Sequence, residues 1–548
     1  MTMQTTPLLM SQLMDRGALM APDEEIVTAT ENGVVRTNYR SVHARACQLA
    51  NALTRHGIDV GDRVATFMWN GYRHLEAYQA IPSMGAVLHT LNIRLGPQDL
   101  EYIITHAHDR VILVDADLVG LLEPLADKLP CVELYLICSE DGKVETTLPN
   151  AIDYETFIDG EATQCKWPEI DENSPLGLCY TSGTTGKPKG AMYTHRSTYL
   201  HTMMMAGTDI MSLSSTDAVC GIVPMFHAMG WGMPFTATML GSKQVMPHRF
   251  MQPERLLDLF SQEKVSLSAG VPTIWQGVRA TYEADPDRWQ LDELTRLTCG
   301  GSAPPAEMMR WYWDTLGIEM IQGWGMTETN PIGTISRRIS KRVQRHLTLD
   351  EQFTNIGKAG LTVPGLEVEI FDDDWNSLPH DGEAVGQLLI RGPWIASAYY
   401  NDPQPEKFHD GWLVTGDVAR IDREQYVIIT DRAKDLIKSG GEWISSVDME
   451  NHIAALPTIQ MAAVVAAPHP KWDERPVAVV VRTEGANTGA DEVLEHCAQT
   501  FARWQLPDDV LFWTALPLTS TGKLDKKAIR AQMSDDGYRL PDLRENAS

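Results

Sequence analysis

The sequence predicts an α/β protein: a large N-terminal domain of βαβ-type sheets carrying a small β subdomain, then a small mobile α+β C-terminal domain. Three observations predict it. The 548 residues exceed what one hydrophobic core supports, so two or more domains are expected. Short apolar runs alternate with helical periodicity as far as Gln322, the pattern of strands joined by crossover helices. From 331 to 430 that periodicity fades, glycine and proline rise, and short β-rich runs take over.

The elements follow in order. Tyr39 to His56 has the apolar spacing of a helix, Arg63 to Trp69 reads as a strand and Tyr72 to Met84 as a helix, with further strands at Arg110 to Asp115 and Val132 to Cys138. Leu176 to Cys179 reads as a buried strand end and His195 to Met211 as a helix. Ala218 to Val223, Ser242 to Met246, Val265 to Ala269, Leu294 to Cys299 and Ile318 to Gln322 are strand candidates. Pro253 to Glu263 and Pro272 to Tyr282 read as helices among them. Ser302 fits an N-cap with proline in the first turn of the next helix. Glu367 to Phe371, Gly386 to Arg391 and Gln425 to Thr430 form the β subdomain. A polar break at Asp431-Arg432-Ala433-Lys434-Asp435 marks the boundary, giving domains at 1–431 and 435–548 with a hinge at 432–434. Beyond it, Ser445 to Leu456 and Asp491 to Phe501 read as helices, Met461 to Ala467 and Val477 to Arg482 as strands.

Composition narrows the function. A net charge of −27 speaks against a nucleic-acid partner. The eight cysteines form no C-x-x-C pair and read as reduced thiols of a cytoplasmic protein. Met1 to Leu13 lacks a basic segment followed by an apolar core, so no secretory signal is expected. Ala218 to Ser242 is uncharged and long enough to span a membrane, but two prolines, His227 and four glycines break it, which suits a pocket wall and not a membrane span.

One stretch concentrates chemistry: Tyr180-Thr181-Ser182-Gly183-Thr184-Thr185-Gly186-Lys187-Pro188-Lys189-Gly190. Glycines let backbone N–H groups converge on an anion, and hydroxyls and ammonium groups add donors. A strand, a glycine-rich loop and a helix in succession hold phosphate in open α/β sheets. Gly186-Lys187 is followed by Pro188, so this is not a Walker A loop. Four more motifs follow. Gly300-Gly301-Ser302 ends a strand, where a flat ring can lie on backbone; on residues alone a plain strand-to-helix turn is the simpler reading. Gly323-Trp324-Gly325-Met326-Thr327-Glu328 sets a hydroxyl beside a carboxylate, either a Mg²⁺ ligand next to phosphate or an ordinary helix-start glutamate. Thr415-Gly416-Asp417 offers a carboxylate for two ribose hydroxyls; on spacing alone it is a turn aspartate. Thr519-Ser520-Thr521-Gly522-Lys523 sets a lone lysine after glycine.

In this order, spread over most of the chain, the five motifs resemble the adenylate-forming superfamily. Ser439-Gly440-Gly441-Glu442-Trp443-Ile444 and Lys471-Trp472-Asp473-Glu474-Arg475 look closest to medium-chain acyl-CoA synthetases and the related 3-methylmercaptopropionate-CoA ligases. The resemblance implies a cytoplasmic, often dimeric ligase that makes an acyl-adenylate from ATP and an acid, then a thioester with coenzyme A. It assigns ATP to Thr181 through Lys187, Gly300 to Ser302, Gly323 to Met326, Asp417 and Arg432. Mg²⁺ goes to Thr184 and Glu328, and α-phosphate chemistry to Thr327, Glu328 and Lys523. His227 becomes an acid gate and Lys434 the hinge. Coenzyme A falls to Lys438, Ser439, Gly440, Gly441, Glu442 and Trp443, with Glu474 as general base or as an ion-pair partner of Arg475 or Lys471. The acyl pocket would take Met229, Trp231, Gly232 and Pro331, within an apolar run from Met225 to Pro234 that composition alone would read as core. A bulky Trp231 implies short-to-medium acids, 3-methylmercaptopropionate leading. A peptide-synthetase adenylation domain is disfavoured because the uncharged 218–242 wall offers no carboxylate for a substrate amine. Bioluminescence has no support, and a catalytically silent nucleotide-binding regulator is disfavoured by the presence of Lys523, Glu328 and Lys434. Because ATP and coenzyme A are anions, local basic clusters must override the global charge.

Overall fold

Two sheets form the N-terminal bulk of the computed structural model, which describes residues 2–140, 142–143, 145–181, 187–432, 434–439, 442–519 and 524–541, the side chains of Glu442 and Trp443 apart. The first is seven-stranded, in the order Ala151–Asp153, Leu134–Cys138, Asp109–Asp115, Arg63–Phe67, Val87–Thr90, Pro175–Tyr180, Gly190–Thr194. All neighbours are parallel except the last pair. Strands here are buried on both faces, as the apolar runs require.

That antiparallel pair corrects the expected strand–loop–helix order. Gly190–Thr194 is a strand whose Gly190 pairs antiparallel with Tyr180, and the helix His195–Met205 begins only after it. The glycine-rich stretch therefore does not sit at a helix N-terminus. Thr194 caps the helix through Ser197 N–H, and it stops six residues earlier than predicted, before Gly207.

The second sheet runs through fourteen strands. Ala218–Gly221, Lys243–Met246, Leu267–Gly270, Arg296–Cys299 and Glu319–Gly325 form its parallel centre. The β-rich region is appended to this sheet as expected: Gly360–Thr362 pairs with Ile332–Ser336, which pairs with Glu319–Gly325, so its strands continue the sheet at one end. Residues 437–512 build a third sheet from Ile437–Ser439, Glu442–Ile444, Ile459–His469, Asp473–Arg482 and Asp509–Phe512. Helices Ser446–Ala454, Ala490–Ala498 and Lys526–Asp535 accompany it, and two apolar clusters around Val464 and Val479 fill its faces.

Two further expectations fail. Cys47 and Cys165 form a disulfide, 118 residues apart with Cα atoms 5.4 Å apart, a pairing that sequence spacing does not reveal. Ser302 is not the N-cap: the helix starts at Ala306 after Pro305. Proline keeps the residue before it out of helical conformation, so Pro304-Pro305 delays the start. Among the described residues no helix is long and apolar enough to cross a membrane; the uncharged 218–242 stretch is a strand, a short turn and the helix Met233–Leu240.

Candidate active site

The carboxyl ends of the parallel strands open into a cavity of about 530 Å³, walled on its far side by the C-terminal residues. This is where open α/β sheets hold ligands, and the volume lies in the usual range for small-molecule sites. Gly300, Gly301, Ser302, Gly323, Trp324, Gly325, Met326, Thr327 and Glu328 all line it, as do Thr181, Lys187, His227, Trp231, Pro331, Arg432 and Lys434. From the C-terminal side come Val447, Glu450, Asn451, Thr519, Leu524 and Lys526.

Two glycines permit close approach. A Cβ on Gly300 would lie 2.8 Å from the Trp231 ring, so the indole closes directly over that backbone. A Cβ on Gly325 would lie 1.7 Å from the Pro331 carbonyl oxygen, which no side chain permits. Trp231 reaches this place through a left-handed run: Ala228, Met229 and Trp231 have φ of 40°, 47° and 54°. Such conformations are costly for non-glycine residues and hold only under tight packing.

An ordered polar network lies in and behind one wall of the cavity, with Thr415, Trp324, Glu328 and Arg432 lining it and Asp417 just behind them. Asp417 is buried inside the strand Trp412–Ile421, not in a turn. It pairs with Arg432 Nε at 2.7 Å and accepts from Trp324 Nε1 at 2.9 Å. Thr415 turns its hydroxyl to the Leu388 carbonyl and accepts from Asp417 N–H. Glu328 is buried, accepts from the Tyr399 hydroxyl, and with burial pushes that phenol's pKa well up. Tyr193 holds the Thr327 carbonyl at 2.6 Å. Lys187 lies 4.7 Å over the Tyr102 ring, and Lys189 lies 5.2 Å over Tyr399 while donating to Gln404.

Charge in the cavity opposes that of the whole chain. Lys187, Lys189, Lys407, Arg432, Lys434 and Lys526 line it against Glu328, Asp431, Asp435 and Glu450. Among the described residues, six cations against four carboxylates is a local surplus in a protein of net −27. Partial burial, with Arg432 nearby, lowers the Lys434 pKa. A clasp crosses the 432–434 segment. Asp431 accepts from Ser446 N–H and hydroxyl, Lys526 pairs with Glu450 at 2.8 Å and donates to Ser446, and Ser445 donates to the Thr430 carbonyl. Burial raises the Glu450 carboxyl to about 7 and raises Asp431 too, with Lys526 opposing both shifts.

Other sequence-predicted residues lie elsewhere. Met229 is buried in the N-terminal core against Gly177, and Gly232 packs on His201; neither lines the cavity. Met225 and Phe226 are likewise core. Met233 of the predicted run does line the cavity, and Met205, Met211, Ala269, Thr298 and Ile332 join it from other parts of the chain. Lys438, Ser439 and Glu474 are together but outside the cavity: Glu474 accepts from Lys438 N–H at 2.9 Å, and Arg475 donates to the Ser439 hydroxyl at 2.8 Å. Arg475 pairs with Asp508, not Glu474. Ser182, Gly183, Thr184, Thr185, Gly186, Gly440, Gly441 and Lys523 lie outside the described residues, as do the side chains of Glu442 and Trp443. Sequence reasoning missed Lys526, Glu450 and Tyr399; only Lys526 had a signal, in the basic run Lys523-Leu524-Asp525-Lys526-Lys527.

Residues 14–400 match the AMP-binding enzyme family and 448–523 its C-terminal domain. The chain is 42% identical over 537 residues to a 3-methylmercaptopropionyl-CoA ligase of Ruegeria lacuscaerulensis, covering 97% of this chain and 98% of that protein. It is 40% identical over 535 residues to a medium-chain-fatty-acid–CoA ligase of Ectopseudomonas oleovorans, covering 97% of each. An anthranilate CoA ligase crystallised with anthranoyl-AMP shares the fold, with a TM-score of 0.85 at 24% identity over 96% of this chain and 98% of that one.

Proposed function

From the premise that the chain belongs to the AMP-binding enzymes and is an AMP-forming acyl-CoA synthetase, we propose that it ligates short-to-medium carboxylic acids, 3-methylmercaptopropionate foremost, to coenzyme A. The observation that carries the reading is a cavity built from strand ends on one side and from Val447, Glu450, Thr519, Leu524 and Lys526 on the other. In the first half-reaction an acid oxygen attacks the α-phosphorus of ATP, the α–β P–O bond breaks and pyrophosphate leaves. In the second the thiol sulfur attacks the acyl carbon, the bond to the AMP oxygen breaks, and the thiol proton passes to a base.

Asp417 and Arg432 hold the ribose, and the Gly300 backbone and Trp324 flank the base. Two anions meet in the first step, so cations must be arranged where charge develops. Lys523 is assigned this role; its flanks Thr519 and Leu524 line the cavity, which supports the assignment. Glu328 is the buried carboxylate available to Mg²⁺, with Thr184 beside the phosphates. No cluster of three or more metal-ligating side chains occurs among the described residues, and Mg²⁺ needs only one or two carboxylates plus phosphate oxygens. Bound there, the ion supplies charge neutralisation to the phosphates. Glu474 as thiol base, with Lys438, Ser439 and Trp443 as the coenzyme A wall, requires the 435–548 domain to turn about Lys434 and present another face. Glu474 and Lys438 lying together away from the cavity supports that requirement.

Trp231 over Gly300 limits acid length. The choice of 3-methylmercaptopropionate rests on the first relative's name, and a general medium-chain preference, as the second relative is named, is the alternative. AMP release measured across C2 to C12 acids, 3-methylmercaptopropionate, palmitate and benzoate tests it. The reading expects the highest kcat/KM among the short-to-medium aliphatic or thioether acids; a maximum at palmitate or benzoate overturns it.

A further inference from the structure

Resting on that reading of the acid site, we infer that Thr298 is the residue that reads a sulfur atom in the acid chain, with Met211 standing in for that sulfur in the empty pocket. Thr298 is 4% exposed and lies on the strand Arg296–Cys299, two residues before Gly300. Thr298 lines the same cavity as the Gly300 backbone that Trp231 covers. Both Thr298 and Met211 line the cavity. The Thr298 hydroxyl donates to Met211 Sδ at 3.2 Å, a hydroxyl-to-thioether hydrogen bond in the wall of the acid site.

The rest of that wall is methionine, tryptophan, alanine and isoleucine, surfaces that fit an aliphatic chain and a thioether equally well. Thr298 is different because its donor needs an acceptor. A buried hydroxyl left without one is penalised, and one that finds an acceptor is not. A thioether acid offers Thr298 the acceptor that Met211 otherwise supplies; a hydrocarbon acid of the same length offers none. Met211 thus keeps the empty pocket satisfied and moderates the preference it helps define.

The test uses an isosteric pair, 3-methylmercaptopropionate and pentanoate, which differ by sulfur for methylene. Because Met211 already satisfies the hydroxyl when pentanoate is bound, wild-type enzyme should favour the thioether by only about twofold in kcat/KM, below the roughly two- to fivefold span of one modest hydrogen bond. Thr298→Val should bring the ratio to about one by lowering the thioether value more than the pentanoate value. Thr298→Ser should keep the preference. Met211→Leu should enlarge it, because Thr298 then lacks an acceptor only when pentanoate is bound. A ratio unchanged in both Thr298→Val and Met211→Leu overturns the assignment while leaving the ligase reading intact. Turnover of neither acid by wild-type enzyme would remove both.

Discussion

Replacing Asp417 by asparagine tests the nucleotide site through a magnitude the structure allows one to work out. An ionised carboxylate has about four acceptor positions. Here one oxygen is taken by Arg432 Nε at 2.7 Å and the other by Trp324 Nε1 at 2.9 Å. Two positions remain, matching the 2′ and 3′ hydroxyls of a ribose. Hydrogen bonds to a charged group contribute about 1.5–3 kcal/mol, against about 1 for neutral partners. Asp417→Asn keeps an amide oxygen for Trp324 but loses the charge that strengthens the ribose bonds and pairs with Arg432. The KM for ATP should therefore rise roughly 10- to 100-fold. The turnover number should change much less, because ribose binding is the same in ground and transition states. Steady-state AMP release with ATP, 2′-deoxy-ATP and 3′-deoxy-ATP is the assay. Wild-type enzyme should lose about tenfold in kcat/KM with either analogue, and the variant markedly less. A variant KM within twofold of wild type, or an undiminished penalty for the deoxy analogues, would refute the assignment of Asp417 to the ribose.

Two more predictions follow from burial and shape. Burial raises the Glu450 carboxyl from 4.5 to about 7, so the folded protein holds that proton more tightly than the unfolded chain. The associated stability is fully present below pH 4.5 and is lost as pH rises to about 7, some 3 kcal/mol in all. Glu450→Gln should flatten the melting-temperature profile between pH 4.5 and 7, and an unchanged slope counts against the account. Trp231→Ala should lengthen the acid chain preferred in kcat/KM by several carbons, since the indole covering Gly300 closes that end; an unchanged optimum would place the length limit elsewhere.

The elements and the nucleotide wall were legible in the sequence for different reasons. Tyr39–His56 and Glu367–Phe371 match their predicted bounds because periodicity and turn residues act locally. The Gly300, Trp324 and Asp417 segments converge because each ends or lies in a strand of one sheet, and ligand contacts at strand ends leave glycine-rich signatures. The strand Gly190–Thr194 was not legible because five residues directly before the helix at His195 are too few to show a periodicity of their own. The acid wall was illegible for a deeper reason. Met205, Met211, Thr298 and Ile332 come from a helix, the turn after it and two strands that only the tertiary fold brings together, and a left-handed turn at Ala228 to Trp231 sends Trp231 into the cavity while Met229 goes into the core. The Cys47–Cys165 bond and the Lys526–Glu450 pair are long-range in the same sense.

The most direct test of the two-step account separates the half-reactions. Pyrophosphate release from ATP and acid reports the first, and AMP release from supplied acyl-adenylate and coenzyme A reports the second. Lys523→Ala should lose the first and keep the second, while Glu474→Ala should keep the first and lose the second. Loss of the same half-reaction in both variants would contradict a C-terminal domain that serves each step with a different face.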